Sequence, residues 1–307
     1  MKSIAFSLIT LLLFVSIACN NENNAETNLN NETDFAIPDS VLQQEPDMPK
    51  ISENSMSELV QNISSPIEMA SLVKDAGSKF SPELLAPTKK VDSYSTAFKR
   101  AVNLGIFGAD LGYLNLYEQT RFTIDYLSAI KTLAEGIHVG QFFDFKLLKD
   151  LATAGNDIDS LMFVATQSFN NIDRYLKKNN RSNISVLIIT GVWIEGMYFA
   201  TQINAENPTK EVADRIVEQK NVLNNLFLVL KQYKGSKELD TLITMMEKLK
   251  EYYEPTEITY ELGEPEMVEK DGVLVVEQNE KPIFSYQEKD LENIKNQIEK
   301  IRFSLIN

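Results

Sequence analysis

The chain has 307 residues, of which 30 are basic and 44 acidic, so its formal net charge is −14. A nucleic-acid-binding protein needs a basic patch or stripe, whereas the basic pairs here, such as Lys89–Lys90 and Lys177–Lys178, are isolated, so we expect no nucleic-acid partner. The single cysteine and the single histidine exclude a disulfide within the chain and a multi-histidine metal site.

Residues 1–19 have the layout of a bacterial export signal. A basic start is followed by an apolar run, Ile4–Ile17, which is too short for a spanning helix because a bilayer requires about 20 apolar residues. The run ends in Ser16-Ile17-Ala18-Cys19, which resembles a lipobox in which Ser16 replaces the usual leucine. The resemblance implies cleavage after Ala18 and attachment of a palmitate-type diacylglycerol lipid to Cys19. The alternative is an ordinary secretory signal that happens to contain a cysteine.

The segment after the cysteine is rich in asparagine. Seven of the twelve residues from 20 to 31 are asparagine, and such a segment buries too little apolar surface to offset its ordering entropy. We therefore predict a signal peptide at 1–18, a disordered tether at 19–54 and a single helical domain at 55–307. Because the acidic chain would not adhere to anionic lipid by charge, the lipid on Cys19 is the expected link to the membrane.

Apolar residues in the domain recur mostly at steps of three and four, the pattern of amphipathic helices. Short links between long helices favour antiparallel neighbours. The sequence therefore predicts a mainly α fold, either an antiparallel multi-helix bundle or stacked helical hairpins. The predicted helices span 57–76, 91–118, 120–136, 141–153, 157–179, 183–205, 209–233, 236–253 and 287–305.

One segment, 256–286, departs from the helical pattern. β-Branched and aromatic residues are dense in it, and Asp271-Gly272 is a strong signal for a two-residue hairpin turn. We predict a small β-hairpin insertion before the last helix. Because an isolated hairpin is marginally stable, we expect it to pack on the helical body.

Two of the predicted helices, 103–118 and 183–203, are apolar around most of their circumference, which is typical of buried central helices. Each carries one carboxylate inside its apolar run and a tyrosine three residues later. The pairs are Asp110 with Tyr113 and Glu195 with Tyr198. This repetition suggests a shared device in the core.

Both helices also contain glycines in their interiors. Gly105, Gly108 and Gly112 share one helical face, and Gly191 and Gly196 lie in the second helix. Each such glycine costs about 1 kcal/mol relative to alanine, so it must be compensated. The compensation is either close approach of two helices or a groove that admits a ligand.

The buried carboxylates allow three interpretations, because a buried charge is costly unless it is paired. In the first, the pair is structural and an arginine supplies the counter-charge; the candidates are Arg100, Arg121, Arg174 and Arg181. In the second, a pocket between the two helices binds a small ligand, with orienting groups from Asp110, Tyr113, Tyr117, Glu195 and Tyr198. In the third, the two carboxylates perform acid–base chemistry or hold a hard cation.

The remaining polar candidates point to no reaction. His138 follows a predicted helix end, where a cation is favoured by the helix dipole, so a capping role is the simplest interpretation. The chain lacks a nucleophile elbow, a phosphate-binding glycine loop, paired cysteines and a zinc-binding HExxH motif. We therefore assign no catalytic residue, no metal ligand and no cofactor.

Several stretches together resemble uncharacterised helical lipoproteins of Bacteroidota. They are the lipobox, the asparagine-rich tether, LGIFGADLGYLNLYEQT, VGQFFDF and NISVLIITGVWIEGMYFATQ. The resemblance covers nearly the whole mature chain from about Ser65. It implies a helical fold and a location in the bacterial cell envelope, and it supplies no activity or residue role.

The function expected from these observations is a non-catalytic binding or interaction role for a lipid-anchored envelope protein. Its partner would be a protein or a small molecule of unknown identity. The first alternative is a lipoprotein that binds a small ligand between helices 103–118 and 183–203. The second is a carboxylate-dependent enzyme.

Overall fold

The computed structural model describes residues 77–154, 158–233, 235–270, 273–277 and 279–307. The predicted signal peptide, Cys19, the tether and the predicted helix 57–76 lie outside these residues. The predicted hairpin turn Asp271-Gly272 lies outside them as well.

The fold is mainly α, as predicted, with a small antiparallel β element. Three short 3-10 helices, Pro82–Leu84, Thr88–Ser93 and Gly140–Phe142, accompany the α-helices. In the described residues the α-helices are α1 Ala97–Leu116, α2 Thr120–Gly136, α3 Phe145–Ala154, α4 Ile158–Lys178, α5 Ser182–Glu206, α6 Lys210–Leu230, α7 Lys237–Tyr253 and α8 Glu288–Ile306.

Side-chain caps determine where several of these helices begin. The hydroxyls of Thr96, Thr209 and Ser236 each accept a hydrogen bond from the backbone N–H three residues later, at the starts of α1, α6 and α7. Helix α8 begins with a reciprocal capping box between Gln287 and Asp290. Each cap satisfies backbone donors that would otherwise lack a partner in the first turn.

Two predicted helix starts were too early, and both corrections have a local cause. The segment predicted to begin at 91 is first a 3-10 helix, and the α-helix starts only after extended Thr96 provides its cap. The segment predicted to begin at 141 is a 3-10 turn followed by extended Phe143. Helix α3 begins after Asp144, whose Oδ1 accepts a hydrogen bond from Leu147 N.

Helices that follow one another in sequence pack against each other from α1 through α7. Helices that are distant in sequence also pack together. Helix α1 lies against α5, and α8 packs on α5, α7 and α1. Central helix α5 is long and apolar enough to cross a membrane, but 83% of its most apolar stretch is buried inside the body. Such burial is what a core helix requires.

The β element is a nested hairpin in which β1 Glu257–Leu262 pairs with β4 Glu280–Ser285, and β2 Glu266–Lys270 pairs with β3 Val273–Glu277. Its base contacts α6, where Lys220 Nζ donates to the Thr256 carbonyl (2.7 Å) and Tyr286 Oη to Asp214 Oδ1 (2.9 Å). The expected packing on the helical body holds only at this base. Beyond it, the side chains of β1 and β4 are largely exposed to solvent.

Candidate functional site

The two carboxylates singled out by the sequence meet in the core. Asp110 of α1 and Glu195 of α5 are both fully buried, and Arg302 of α8 joins them at 7% exposure. Arg302 forms a two-pronged ion pair with Glu195, with Nε–Oε2 and Nη2–Oε1 distances of 2.7 Å. This planar fork geometry is the strongest arrangement available to an arginine and a carboxylate. We call these three side chains the buried polar centre.

The predicted counter-charges are therefore wrong. The four predicted arginines have other contacts: Arg100 donates to the Tyr94 and Gly136 carbonyls, Arg181 to the Ile137 carbonyl and Arg174 to Asn171, and Arg121 lies over the Phe122 ring. A sequence signal for Arg302 did exist. It stands four residues after Ile298 and three before Leu305, so it interrupts the apolar stripe of the last helix.

The environment of Asp110 favours the protonated form of its carboxyl group. Burial raises the pKa of its carboxyl well above the usual range, the neighbouring Glu195 carboxylate raises it further, and Arg302 opposes both effects. Its Oδ2 accepts a hydrogen bond from Ala86 N (3.2 Å), while Oδ1 has no donor among the described residues. A proton on Oδ1, donated to the adjacent Glu195, satisfies both carboxyl groups. The buried polar centre then has no net charge.

Arg302 makes two further contacts. Its Nη2 donates to the Leu84 carbonyl (2.8 Å), and its guanidinium lies 4.0 Å from the centre of the Tyr198 ring. Burial alone would lower the pKa of this guanidinium, but the charge and hydrogen bonds of Glu195 outweigh that effect and raise the pKa. Tyr198 therefore contacts the buried polar centre through its ring face.

Tyr113 and Tyr117 belong to a neighbouring aromatic cluster. The Tyr113 ring stacks on Phe199 at 4.6 Å and lies 5.6 Å from Phe80, and Tyr117 packs against Tyr113 at 4.8 Å. The Tyr113 hydroxyl accepts from Ser81 N (3.0 Å), and the Tyr117 hydroxyl donates to the Ser78 carbonyl (2.8 Å). Burial raises the pKa of Tyr117 to about 12.

Both groups of side chains hold the same piece of chain, residues 78–86, which we call the strap. Tyr117 and Tyr113 bind it at Ser78 and Ser81, Arg302 binds the Leu84 carbonyl, and Asp110 binds Ala86 N. Tyr126 of α2 completes the set by donating to the Ala86 carbonyl. The strap thus occupies three of the five groups that the sequence had suggested for a ligand, Asp110, Tyr113 and Tyr117, while Arg302 occupies the other two, Glu195 and Tyr198.

The glycines of α1 and α5 serve close packing at two positions. A Cβ on Gly105 would lie 1.9 Å from the Ile188 carbonyl oxygen, and one on Gly191 would lie 2.0 Å from that of Val102. The two helix backbones are therefore in direct contact at these residues, which leaves no room for a ligand there.

The other two glycines of α1 have different surroundings. A Cβ on Gly108 would touch the Phe169 ring at 3.4 Å, and one on Gly112 would meet nothing within 4 Å. The glycine face of α1 is therefore not a single contact surface.

His138 lies at the end of α2, where its backbone N donates to the Glu135 carbonyl (3.0 Å) and its φ of 59° is left-handed. Its exposed side chain lines a surface cavity of about 410 Å³ with Glu135 and Tyr175. Within the described ranges, no group of three or more histidine, cysteine or acidic residues is placed to hold a metal ion.

A second cavity, of about 330 Å³, lies where α1, α5 and α7 begin. Its lining is mainly apolar and includes Phe98, Ile184, Leu187, Tyr233 and Leu239. Neither this cavity nor its lining was predicted, because it arises where helix ends that are far apart in sequence come together.

No family model, curated protein or solved structure matches the chain.

Proposed function

We propose that this chain is a lipid-anchored protein of the bacterial cell envelope whose acidic helical body binds another envelope component and performs no catalysis. The lipobox-like ending at Cys19 and the asparagine-rich segment after it support the anchor. The same features, with the helical stretches that resemble lipoproteins of Bacteroidota, support the location.

The observation that carries the non-catalytic part of the proposal is the use of the buried polar centre. Catalytic carboxylates need contact with a substrate and a pKa matched to proton transfer. Here Glu195 is neutralised by Arg302, and Asp110 and Arg302 both bind backbone atoms of the strap. These three side chains therefore stabilise the fold through contacts with one another and with the strap.

Two experiments test the two parts of the proposal. For the anchor, cells expressing the full chain are labelled with a radioactive fatty acid; the wild type should carry label and fractionate with membranes, and Cys19→Ala should do neither. Label that persists in Cys19→Ala would disprove the anchor. For the binding role, proximity labelling from the anchored chain should identify the same envelope component in wild type and in Asp110→Asn, since that carboxyl is structural.

One observation favours the small-ligand alternative, at a different place from the predicted pocket. The cavity of about 330 Å³ at the starts of α1, α5 and α7 falls within the usual size of ligand pockets and is mainly apolar. Thermal-shift screening with small apolar metabolites tests this candidate, because a ligand at 100 times its dissociation constant adds about 2.7 kcal/mol of stability. Leu187→Trp, which fills the cavity, should abolish any shift that is found.

A further inference from the structure

The β-hairpin presents an open strand edge on β1. In an antiparallel pair, opposite residues alternate between hydrogen-bonded and non-hydrogen-bonded pairs. The backbone N of Gly263 donates to the Asn279 carbonyl, which fixes this pair as hydrogen-bonded. Counting back along the register, Leu262↔Glu280 and Tyr260↔Pro282 are non-hydrogen-bonded. The proline agrees with this assignment, since it has no N–H to donate.

It follows that the backbone N–H and C=O groups of Ile258, Tyr260 and Leu262 point away from β4. The corresponding outer edge of β4 is interrupted, because Pro282 offers no donor there and proline is a common device for closing a strand edge. Only the β1 edge therefore offers an unbroken row of donors and acceptors. A row of this kind accepts an additional strand.

The two faces of β1 differ in chemistry. Ile258, Tyr260 and Leu262 lie on one face, and the latter two are 56% and 70% exposed. Glu257 and Glu261 lie on the opposite face, where both are exposed. A strand added to this edge would meet carboxylates on one side and apolar side chains on the other.

Charge identifies the partner. The segment 257–285 contains eight acidic residues and two lysines, which is a formal charge of −6. A second copy would bring the same charge to the edge, and like charges that face each other across strands are destabilising. A cationic strand would be attracted.

We propose that the β1 edge, Glu257–Leu262, binds an extended segment of a partner protein in which cationic and apolar side chains alternate. The added strand would pair with the outward backbone groups of Ile258, Tyr260 and Leu262, with its cations beside Glu257 and Glu261. This inference rests on the proposed binding function and specifies the chemistry of its partner.

The test uses the purified full chain and a blocked synthetic peptide of alternating lysine and valine. Leu262→Pro removes an outward N–H of β1. Its matched control is Glu280→Pro, which lies directly opposite in β4. Because the two residues form a non-hydrogen-bonded pair, neither substitution removes a hydrogen bond between β1 and β4. Leu262→Pro should weaken peptide binding at least about ten-fold, which corresponds to about 1.4 kcal/mol. The Glu280→Pro variant should bind the peptide like the wild type. Leu262→Ala measures how much of the loss in affinity is due to the leucine side chain.

Peptide variants probe the same contact from the other side. N-methylation of the valines, which blocks edge hydrogen bonds, should abolish binding to the wild type, and so should replacement of the lysines by glutamates. Equal binding of the N-methylated peptide, or equal weakening by the two proline substitutions, would overturn the proposal.

Two further outcomes would reassign the edge and so overturn the proposal. One is a dimer in sedimentation that Leu262→Pro dissociates, which would give the edge to a second copy. The other is binding of the chain with Cys19→Ala to phosphatidylcholine vesicles that Leu262→Pro abolishes. Peptide binding does not depend on the lipid anchor, so the two proposals can fail separately. Fatty-acid label on Cys19 without peptide binding would disprove this inference and leave the anchor standing. Peptide binding without label on Cys19 would disprove the anchor and leave this inference standing.

Discussion

At the scale of single residues, Asp110 and Glu195 look equivalent in the sequence but differ in the fold. Each interrupts an apolar helix and precedes a tyrosine by three residues. Glu195 receives both prongs of Arg302, whereas Asp110 receives one backbone N–H and has its pKa raised by burial and by Glu195. Glu195 is a charge that needs its partner, whereas the surroundings of Asp110 favour a neutral hydrogen-bonding group.

This difference predicts opposite responses to substitution. Asp110→Asn keeps a donor and an acceptor in nearly the same places, so its free energy of unfolding at pH 5 should stay within about 1 kcal/mol of the wild type. Arg302→Met strands the Glu195 carboxylate and should cost about 3–5 kcal/mol at pH 7. Urea unfolding of both variants measures the contrast. A large loss in Asp110→Asn would show that this carboxyl is ionised.

The raised pKa of Asp110 also predicts a dependence of stability on pH. An aspartate in the unfolded chain titrates near about pH 3.9, while the native pKa of Asp110 is well above it. Between these two pKa values the native state binds more protons, so its free energy of unfolding falls as pH rises, by up to about 1.4 kcal/mol per pH unit. The stability that Asp110 contributes is fully present below the pKa of the unfolded state and is lost as pH rises through the native pKa.

The Asp110→Asn variant lacks this ionisable group. Its free energy of unfolding should therefore rise relative to that of the wild type as pH increases between the two pKa values. Urea melts of both proteins at intervals from about pH 4 to pH 8 give the difference directly. A difference that does not change with pH would contradict the assigned proton.

The sequence predicted that these carboxylates are buried and offered pairing with an arginine as one of three interpretations, but it did not identify Arg302 as that arginine. Burial follows from periodicity within one helix, which is local information. The arginine lies 107 positions beyond Glu195 and acts only after α8 packs on α5. The pKa of Asp110 is raised first by burial and further by Glu195, and no spacing along the chain encodes the contact between these two carboxyl groups.

At the scale of elements, the contact between α1 and α5 depends on two glycines. Because a Cβ on Gly105 would overlap the backbone of α5, Gly105→Ala has to push the helices apart and should destabilise the fold by about 3 kcal/mol or more. Gly112→Ala on the same helix meets open space, and it should stabilise the fold by up to about 1 kcal/mol. Melting temperatures of the two variants should therefore move in opposite directions; a shared direction would be incompatible with the contact.

Helix positions were predictable because apolar periodicity and short polar links are local signals. Helices α6 and α7 also begin directly after hydroxyl caps that are visible in the sequence. Val91 and Tyr94 precede Phe98 at steps of three and four, and Phe142 stands three residues before Phe145, so periodicity alone extended α1 and α3 too far. The exposure of the hairpin was not predictable, since it depends on how few contacts α6 offers to β1 and β4.

At the scale of the whole molecule, the strap and the last helix tie distant parts of the chain together. Arg302 in α8 reaches the Leu84 carbonyl, and Tyr94 donates to the Ile306 carbonyl (3.1 Å). The first described segment of the chain and its last helix are therefore fastened directly to each other.

This arrangement predicts the effect of removing one fastening. Tyr126→Phe leaves the buried Ala86 carbonyl without its donor and should cost about 1–2 kcal/mol. It should also speed amide hydrogen exchange at Ala86. Tyr252→Phe is the matched control, because the partly exposed Tyr252 ring meets Lys248 and its hydroxyl makes no hydrogen bond within the described residues. Equal losses in the two variants would argue against the role of the strap.

The order of contacts along the strap has a mechanical consequence. A pull from the N-terminal side would reach the Ser78–Tyr117 hydrogen bond first, then Ser81–Tyr113, and only then Leu84 and Ala86. The outer links would thus yield in succession and dissipate the load before it reached the ion pair of Arg302 and Glu195. Under such a pull the strap would release its hydrogen bonds in order, and the helical body would keep its fold until the contacts at Leu84 and Ala86 were reached.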